Sequence, residues 1–359
     1  MSQSQLQRIK TLLKSTQDRI LVMDGAMGTM LQREGLEEAD FRGEAFKNWN
    51  CDLKGNNDIL SITQPAIIKK IHGQFLEAGA DIIETNSFNG TTISQADYRA
   101  ESITRDINIA AAKVAREAAD AYTEKTPDKP RYVAGAIGPT NKTLSVSPDV
   151  NNPGYREVSF DYMKEAYRAQ IDALIEGGID IVLIETVFDT LNAKAAIVAT
   201  MEAFDDLGYE LPIMLSCTVT DMSGRNLSGQ TIDAFWYSVR HAKPFSIGLN
   251  CAFGAEHLRP HAVLLSEIAD ANVCVYPNAG LPNEMGEYDE LPEDTAAHLK
   301  QWAEDGLLNI TGGCCGTTPQ HIQAIAEVVD GVQPRFIPQL EPTMRLSGLD
   351  PVTIINAAE

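Results

Sequence analysis

Eight short apolar runs recur along the chain, each bounded by turn residues and followed by a helical pattern, and no other feature restricts the fold as strongly. They are Ile20–Ala26, Ala80–Phe88, Tyr132–Gly138, Ile179–Val187, Pro212–Val219, Phe245–Cys251, Asn272–Pro277 and Leu307–Thr311. All are continuous rather than alternating, as strands covered on both faces should be. Helices are legible between them. Ile67, Ile68, Ile71, Phe75 and Leu76 repeat at helical spacing, as do Met163, Tyr167, Ile171, Leu174 and Ile175, and Ala296, Leu299, Trp302 and Ala303. Eight βα units over about 310 residues fit a (β/α)₈ TIM barrel. An open doubly wound sheet is the competing arrangement, but no dinucleotide-type G-x-G-x-x-G turn is present. A weak internal echo, Glu77 to Glu84-Thr85 against Glu176 to Glu185-Thr186, each a helix end, turn, strand and Glu-Thr mouth, suits a barrel that grew by duplication.

Two segments interrupt the repeat. Residues 31–60 form a long insertion after the first strand, a length usually reserved for functional loops. Residues 1–333 are expected to be the barrel. Residues 334–359, with Pro334, Pro338, Pro342 and Pro351, are expected to be an extended linker. The net charge of −21 argues against nucleic acid and against anionic membranes as partners. No run reaches the roughly 18 apolar residues of a membrane helix, and no signal-peptide core opens the chain, so the cytoplasm is the expected location.

In a barrel of this class the reactive groups lie where the strands end. The last strand ends in Gly312-Gly313-Cys314-Cys315-Gly316, followed by Thr317-Thr318-Pro319, which opens a helix with a hydroxyl cap and an N1 proline. Two converging thiols here suit either a soft metal or two small buried hydrophobes. Cys251, 63 residues before Cys314 yet at the same mouth, shifts the balance. Three thiolates fill three corners of a zinc tetrahedron and leave the fourth open, the layout of a catalytic site. Cys217 and Cys274 fall inside apolar runs and read as core. His257 and His261 have ligand-like spacing, but Pro260 between them is expected to spoil a shared helix face. His72, His241, His298 and His321 read as solvated or partly buried helix residues away from the mouths. Asp24 and Glu185, at strand mouths, suit an ammonium group, a bracing network or a glycosidase pair; the last leaves the cysteines unexplained. Gly25 to Thr29 offers backbone N–H groups to a carboxylate.

Asp24-Gly25-Ala26-Met27-Gly28-Thr29, Glu84-Thr85-Asn86-Ser87-Phe88, Gly248-Leu249-Asn250-Cys251 and Gly312-Gly313-Cys314-Cys315-Gly316 together resemble the homocysteine S-methyltransferase family over nearly the whole chain. Phe41-Arg42-Gly43-Glu44, the stretch Cys51 to Asp58, Glu185 to Lys194 and Pro277 to Pro282 are most similar to the N-terminal homocysteine-binding module of the cobalamin-dependent methionine synthases. Arg345 to Pro351 is similar to the junction that leads into their folate-binding module. The resemblance implies Zn²⁺ on Cys251, Cys314 and Cys315, with Asn278 as a ligand when substrate is absent. It implies the homocysteine ammonium on Asp24 and Glu185, and its carboxylate on the amides near Gly25 and Ala26 with Thr85. The methyl donor would be methylcobalamin, held by other modules of a longer enzyme, and the product methionine. A self-sufficient methyltransferase using betaine or S-methylmethionine, or a zinc-stabilised binding barrel without catalysis, are the alternatives.

Overall fold

The structure, a computed structural model, describes residues 3–354. Its centre is an eight-stranded parallel sheet. The strands are β1 (Leu21–Val22), β2 (Ile82–Glu84), β3 (Tyr132–Ile137), β4 (Ile181–Val187), β5 (Ile213–Cys217), β6 (Ser246–Gly254), β7 (Asn272–Asn278) and β8 (Ile310–Thr311). β8 pairs with β1, and a parallel bridge between Met23 and Ile82 closes the ring. Each expected apolar run coincides with one strand, β6 and β7 running past their ends to Gly254 and Asn278, and a helix follows each, so the expected (β/α)₈ barrel is the fold. Among the described residues no helix is long and apolar enough to cross a membrane.

Burial divides into two compartments, as a barrel covered on both faces requires. Leu21, Met23, Ile82, Tyr132, Ala134, Ile181, Leu183, Met214, Cys274, Tyr276 and Ile310 fill the barrel interior. A larger set, including Val22, Ile83, Val133, Val182, Ile247 and Val275, packs outward against the helices. Strand side chains alternate in direction, so each inward series continues upward by two. Leu183 leads to Glu185, Met214 to Ser216, Gly248 to Asn250 and Cys274 to Tyr276. The interior is therefore apolar below and polar at its top layer.

The amino-terminal helix, Gln3–Asp18, closes the opposite end, with Leu12 inside the interior cluster. The internal echo has a structural counterpart there. Asp81 accepts from Val22 N–H and Arg19, while Asp180 accepts from Val133 N–H, Arg8 and Arg116. Each aspartate, entering its own strand, latches a neighbour. The Asp180 side chain is fully buried, so Asp180→Ala strips Arg8 of its counter-charge and leaves the partly buried Arg116 with Asp120 alone. A loss of about 3 kcal/mol is expected, the low end for breaking such a pair because Arg8 is partly solvated. Chemical denaturation checks this, and a loss below about 1 kcal/mol would show the latch to be dispensable.

The insertion folds back on itself. Arg42 donates to the carbonyls of Trp49 and Cys51, and Glu38 accepts from the amides of Leu53 and Lys54. Trp49 and Cys51 both donate to Tyr98 O, which docks the insertion on the segment beyond β2. Beyond Gln333, Arg335 is buried and donates to the carbonyls of Ser266, Ala269 and Ala271. A hairpin of Met344–Ser347 and Pro351–Ile354 follows, with Ser347 and Arg345 on the helix Ile232–Val239. Residues 355–359 of the expected linker lie outside the described residues.

Candidate functional site

Two interruptions of the strand ladder build the mouth. In β6 the register shifts between Asn250 and Gly254, and in β4 between Ile184 and Val187. Cys251 and Ala252 take φ of 62° and 61°, and Thr186 takes 54°. Non-glycine residues seldom adopt this left-handed region, and surrounding structure must hold them there. The β6 bulge turns Cys251 into the barrel mouth. Across the mouth, Gly316 has φ of 80° and lets the Cys314–Cys315 turn close. That turn is pinned to β7: Cys315 N–H donates to Asn278 Oδ1 at 3.1 Å, Cys314 N–H to Pro277 O, and Ala279 N–H to Cys315 O. The helix Pro319–Val329 follows as expected, capped by Thr318.

The three cysteines converge. Their sulfurs all lie within 4.8 Å of one another, and Cys251 Sγ is 3.8 Å from Cys315 Sγ. Hydrogen bonds from the Cys251 and Cys314 thiols, assisted by Tyr288, hold the Cys315 thiol far below its ordinary range, at about 3. The same contacts push Cys314 up. Cys217 and Cys274 are buried core residues, as the sequence reading has them.

Beside the thiols lies a cavity of about 760 Å³, lined by Asp24, Gly25, Glu84, Thr85, Glu185 and all three cysteines among others. Three acids meet at its floor with no basic side chain between them. Burial, and then the neighbouring Glu185 charge, raises Glu84; burial raises Glu185 to about 7 and lifts Asp24 well above the carboxylate range. Tyr276 OH donates to Glu185 Oε2 at 3.3 Å. Asp24 Oδ2 accepts from Glu84 N–H at 3.1 Å, whereas Asp24 Oδ1 is buried without a partner. A cavity floor with surplus acid and an unsatisfied carboxylate oxygen has the chemistry of a cation acceptor.

Other expected residues are already engaged. Thr85 Oγ1 accepts from Ala136 N–H and pairs with Ser87 Oγ at 2.6 Å. Ala26 N–H donates to Thr317 O, so this amide of the Gly25 to Thr29 cradle is spent on the β8 turn. Gly25 presses against the same turn: a Cβ there would lie 2.7 Å from Thr317 O. The expectations for Pro260, His72 and His321 need correction, whereas His241 and His298 are the exposed and partly buried helix residues expected. The helix Ala255–Ile268 runs on through Pro260, although His257 turns to stack on Phe253. His72 is fully buried, and burial lowers it to about 4. His321 is buried at the mouth, where Nδ1 meets Thr318 Oγ1 and Nε2 meets Glu290 O.

Tyr276 and Tyr288 are site residues absent from the sequence reading, and Glu84 and Asn250 stand in its motifs without a role of their own. For Glu84 the signal was present, since the internal echo aligns Glu84-Thr85 with Glu185-Thr186. Tyr276 becomes visible only once strand parity is assigned, and the same parity turns Asn250 inward.

A closed barrel whose mouth gathers three thiols against a floor of buried acids is an enzyme-type barrel built for soft-donor and cation chemistry. The sequence profile described as homocysteine S-methyltransferase matches residues 21–329. This chain belongs to the homocysteine S-methyltransferase family, and methyl transfer to homocysteine is its activity in that broad sense. Among solved structures it is similar to the homocysteine methyltransferase MmuM from Escherichia coli. The metallated form superimposes with a TM-score of 0.67 at 23% identity, covering 89% of this chain and 99% of that one. The oxidized form gives 0.67 at 22% identity, covering 86% and 95%. At that identity the likeness speaks for the fold.

Proposed function

We propose that this barrel is the homocysteine-activating module of a cobalamin-dependent methionine synthase, with zinc held by Cys251, Cys314 and Cys315. The observation that carries the zinc reading is the three-sulfur cluster, a soft donor set that opens directly onto a cavity. A zinc ion held there supplies the Lewis acid that keeps a substrate thiol, ordinarily near pKa 8.5, in its thiolate form. Asn278, whose Oδ1 meets the Cys315 amide, is the reserve ligand. The ammonium of homocysteine sits against Asp24 and Glu185, where Asp24 Oδ1 waits without a donor. Its carboxylate faces the Gly25 end of the turn, since the Ala26 amide and the Thr85 hydroxyl are already engaged. Held at both ends, the thiolate is aimed at a methyl group entering from the open mouth. Sulfur forms the new S–CH₃ bond, and the donor departs with the electron pair of the bond that breaks.

Methylcobalamin as donor, and methionine biosynthesis in the cytoplasm as setting, rest on the closer resemblance. The insertion that carries part of it supplies Asn57 and Asp58 to the cavity lining. The cobalamin- and folate-binding modules would belong to the longer enzyme, with 334–359 leading toward them. All six cysteines are free, which suits a reducing compartment.

The test is calorimetric titration of zinc-loaded protein with homocysteine and with 4-mercaptobutanoate, which lacks the ammonium, followed by assay with methylcobalamin, betaine and S-methylmethionine. Homocysteine is expected to bind more tightly, and methionine to form from methylcobalamin alone. The affinity ratio of the two thiols isolates the acids, because both present the same sulfur. With Glu185 near 7, lowering the pH through that value protonates the ammonium's partner, so the ratio falls by up to about tenfold per unit. Glu185→Gln should flatten that slope. Turnover of betaine or S-methylmethionine without cobalamin would establish the self-sufficient enzyme instead. Zinc-loaded protein indifferent to homocysteine would leave only a binding barrel.

A further inference from the structure

Asn250, on β6 one residue before Cys251, is fully buried beneath the mouth. Its Oδ1 accepts from Thr186 N–H at 3.1 Å and from Ser216 Oγ at 2.6 Å. Its Nδ2 donates to Thr186 Oγ1 at 2.8 Å and reaches Cys314 Sγ at 3.7 Å. A backbone N–H can only donate, so the Thr186 contact fixes which end of the amide is oxygen. The N–H end is thereby committed to the sulfur side. The residue stands at the base of both bulges, one step before Cys251 and across β5 from Thr186, and spans β4, β5, β6 and the β8 turn.

We propose that Asn250 is a positioning residue of the metal centre: its side-chain N–H donates to the Cys314 sulfur and orients that ligand, while its oxygen locks the strained Thr186 turn against β5. This rests on the zinc reading of the three cysteines. A hydrogen bond to a ligand thiolate withdraws charge from sulfur and fixes its lone pairs, as outer partners of metal ligands generally do. It also explains why the top of β6 carries an amide where a purely apolar strand would pack equally well. The competing role is a brace for the two bulges without influence on the metal.

Asn250→Asp separates the roles. The carboxylate keeps an oxygen for Thr186 N–H and Ser216, but it turns a second oxygen, not an N–H, toward Cys314. Ser216→Ala does the reverse, removing one brace and leaving the N–H in place. Zinc affinity is measured by chelator competition, the thiolate-to-metal charge-transfer band by cobalt(II) substitution, and stability by denaturation of the metal-free proteins. Asn250→Asp is expected to weaken zinc about 10- to 100-fold and to move the cobalt band to longer wavelength. Ser216→Ala should keep zinc affinity within about twofold and the band unmoved, whatever it does to stability. Asn250→Asp with parental zinc affinity and an unmoved band would overturn the proposal, as would Ser216→Ala weakening zinc equally. Failure of the unmutated protein to bind either metal would refute the zinc reading itself, a result visible before any variant is compared.

Discussion

Cys315→Ser is expected to remove the metal and the methyl transfer together while leaving the barrel folded. The backbone at Cys315 is held by β7 on both sides, through Asn278 Oδ1 and the Ala279 amide. Serine keeps those contacts and differs only at the side-chain tip, so the denaturation midpoint of the metal-free protein should barely move. The sulfur is what the site loses. Zinc sites with a full set of four ligands bind with about 10–16 kcal/mol, so one ligand's share is about 2.5–4 kcal/mol. That share corresponds to about two to three orders of magnitude in affinity. Zinc per chain after dialysis should fall from about one to near zero, and methionine formation should follow it. Cys51→Ser is the control, because Cys51 lies in the insertion and its thiol donates to Tyr98 O, a bond serine can keep. Full zinc and full activity in Cys315→Ser would dismiss the three-thiol centre.

The barrel was legible because parallel strands buried on both faces leave continuous apolar runs, and those runs survive without knowledge of partners. The same continuity hid the site's floor. In an unbroken run such as Asn272–Pro277, nothing marks which residues turn inward, so Tyr276 reads as core although its hydroxyl reaches Glu185. Cys251 and the Cys314–Cys315 pair were found by residue type and strand-end position. The bulge that aims Cys251 was not, because its left-handed backbone is borne by cysteine and alanine rather than by glycine. The first and last runs promised longer strands than the two-residue ladders of β1 and β8. Beyond Val22 and Thr311 the chain leaves regular pairing, and the two turns bind each other through Ala26 N–H and Thr317 O. The proline-rich tail signalled an extended path but not the anchoring of Arg335 under the barrel, which depends on three carbonyls from a distant segment.

Gly248→Ala should do the most damage to the fold for the smallest change in composition. Gly248 faces inward on β6, two residues below Asn250 and three before Cys251. A Cβ built there lies 1.5 Å from the Cys274 carbonyl oxygen, and the next closest atoms are also β7 backbone. No rotamer change relieves a clash with main chain, so β6 and β7 must separate. Those two strands share the longest paired register in the barrel, from Ser246 opposite Asn272 to Asn250 opposite Tyr276. Overpacking of side chains alone costs about 1–3 kcal/mol, and displacement of a central ladder should reach or exceed the top of that range. The harm should not stay local. Cys251 and the Cys314–Cys315 turn are carried by β6 and by contacts to β7, so separating these strands moves the sulfurs apart and weakens zinc as well. The expected result is a lower denaturation midpoint together with reduced zinc content, in contrast to Cys315→Ser, which loses zinc at nearly constant stability. Soluble Gly248→Ala protein with the parental midpoint and a full complement of zinc would show that β7 can yield without disturbing the mouth, and the close approach at Gly248 would then be no constraint on the metal centre.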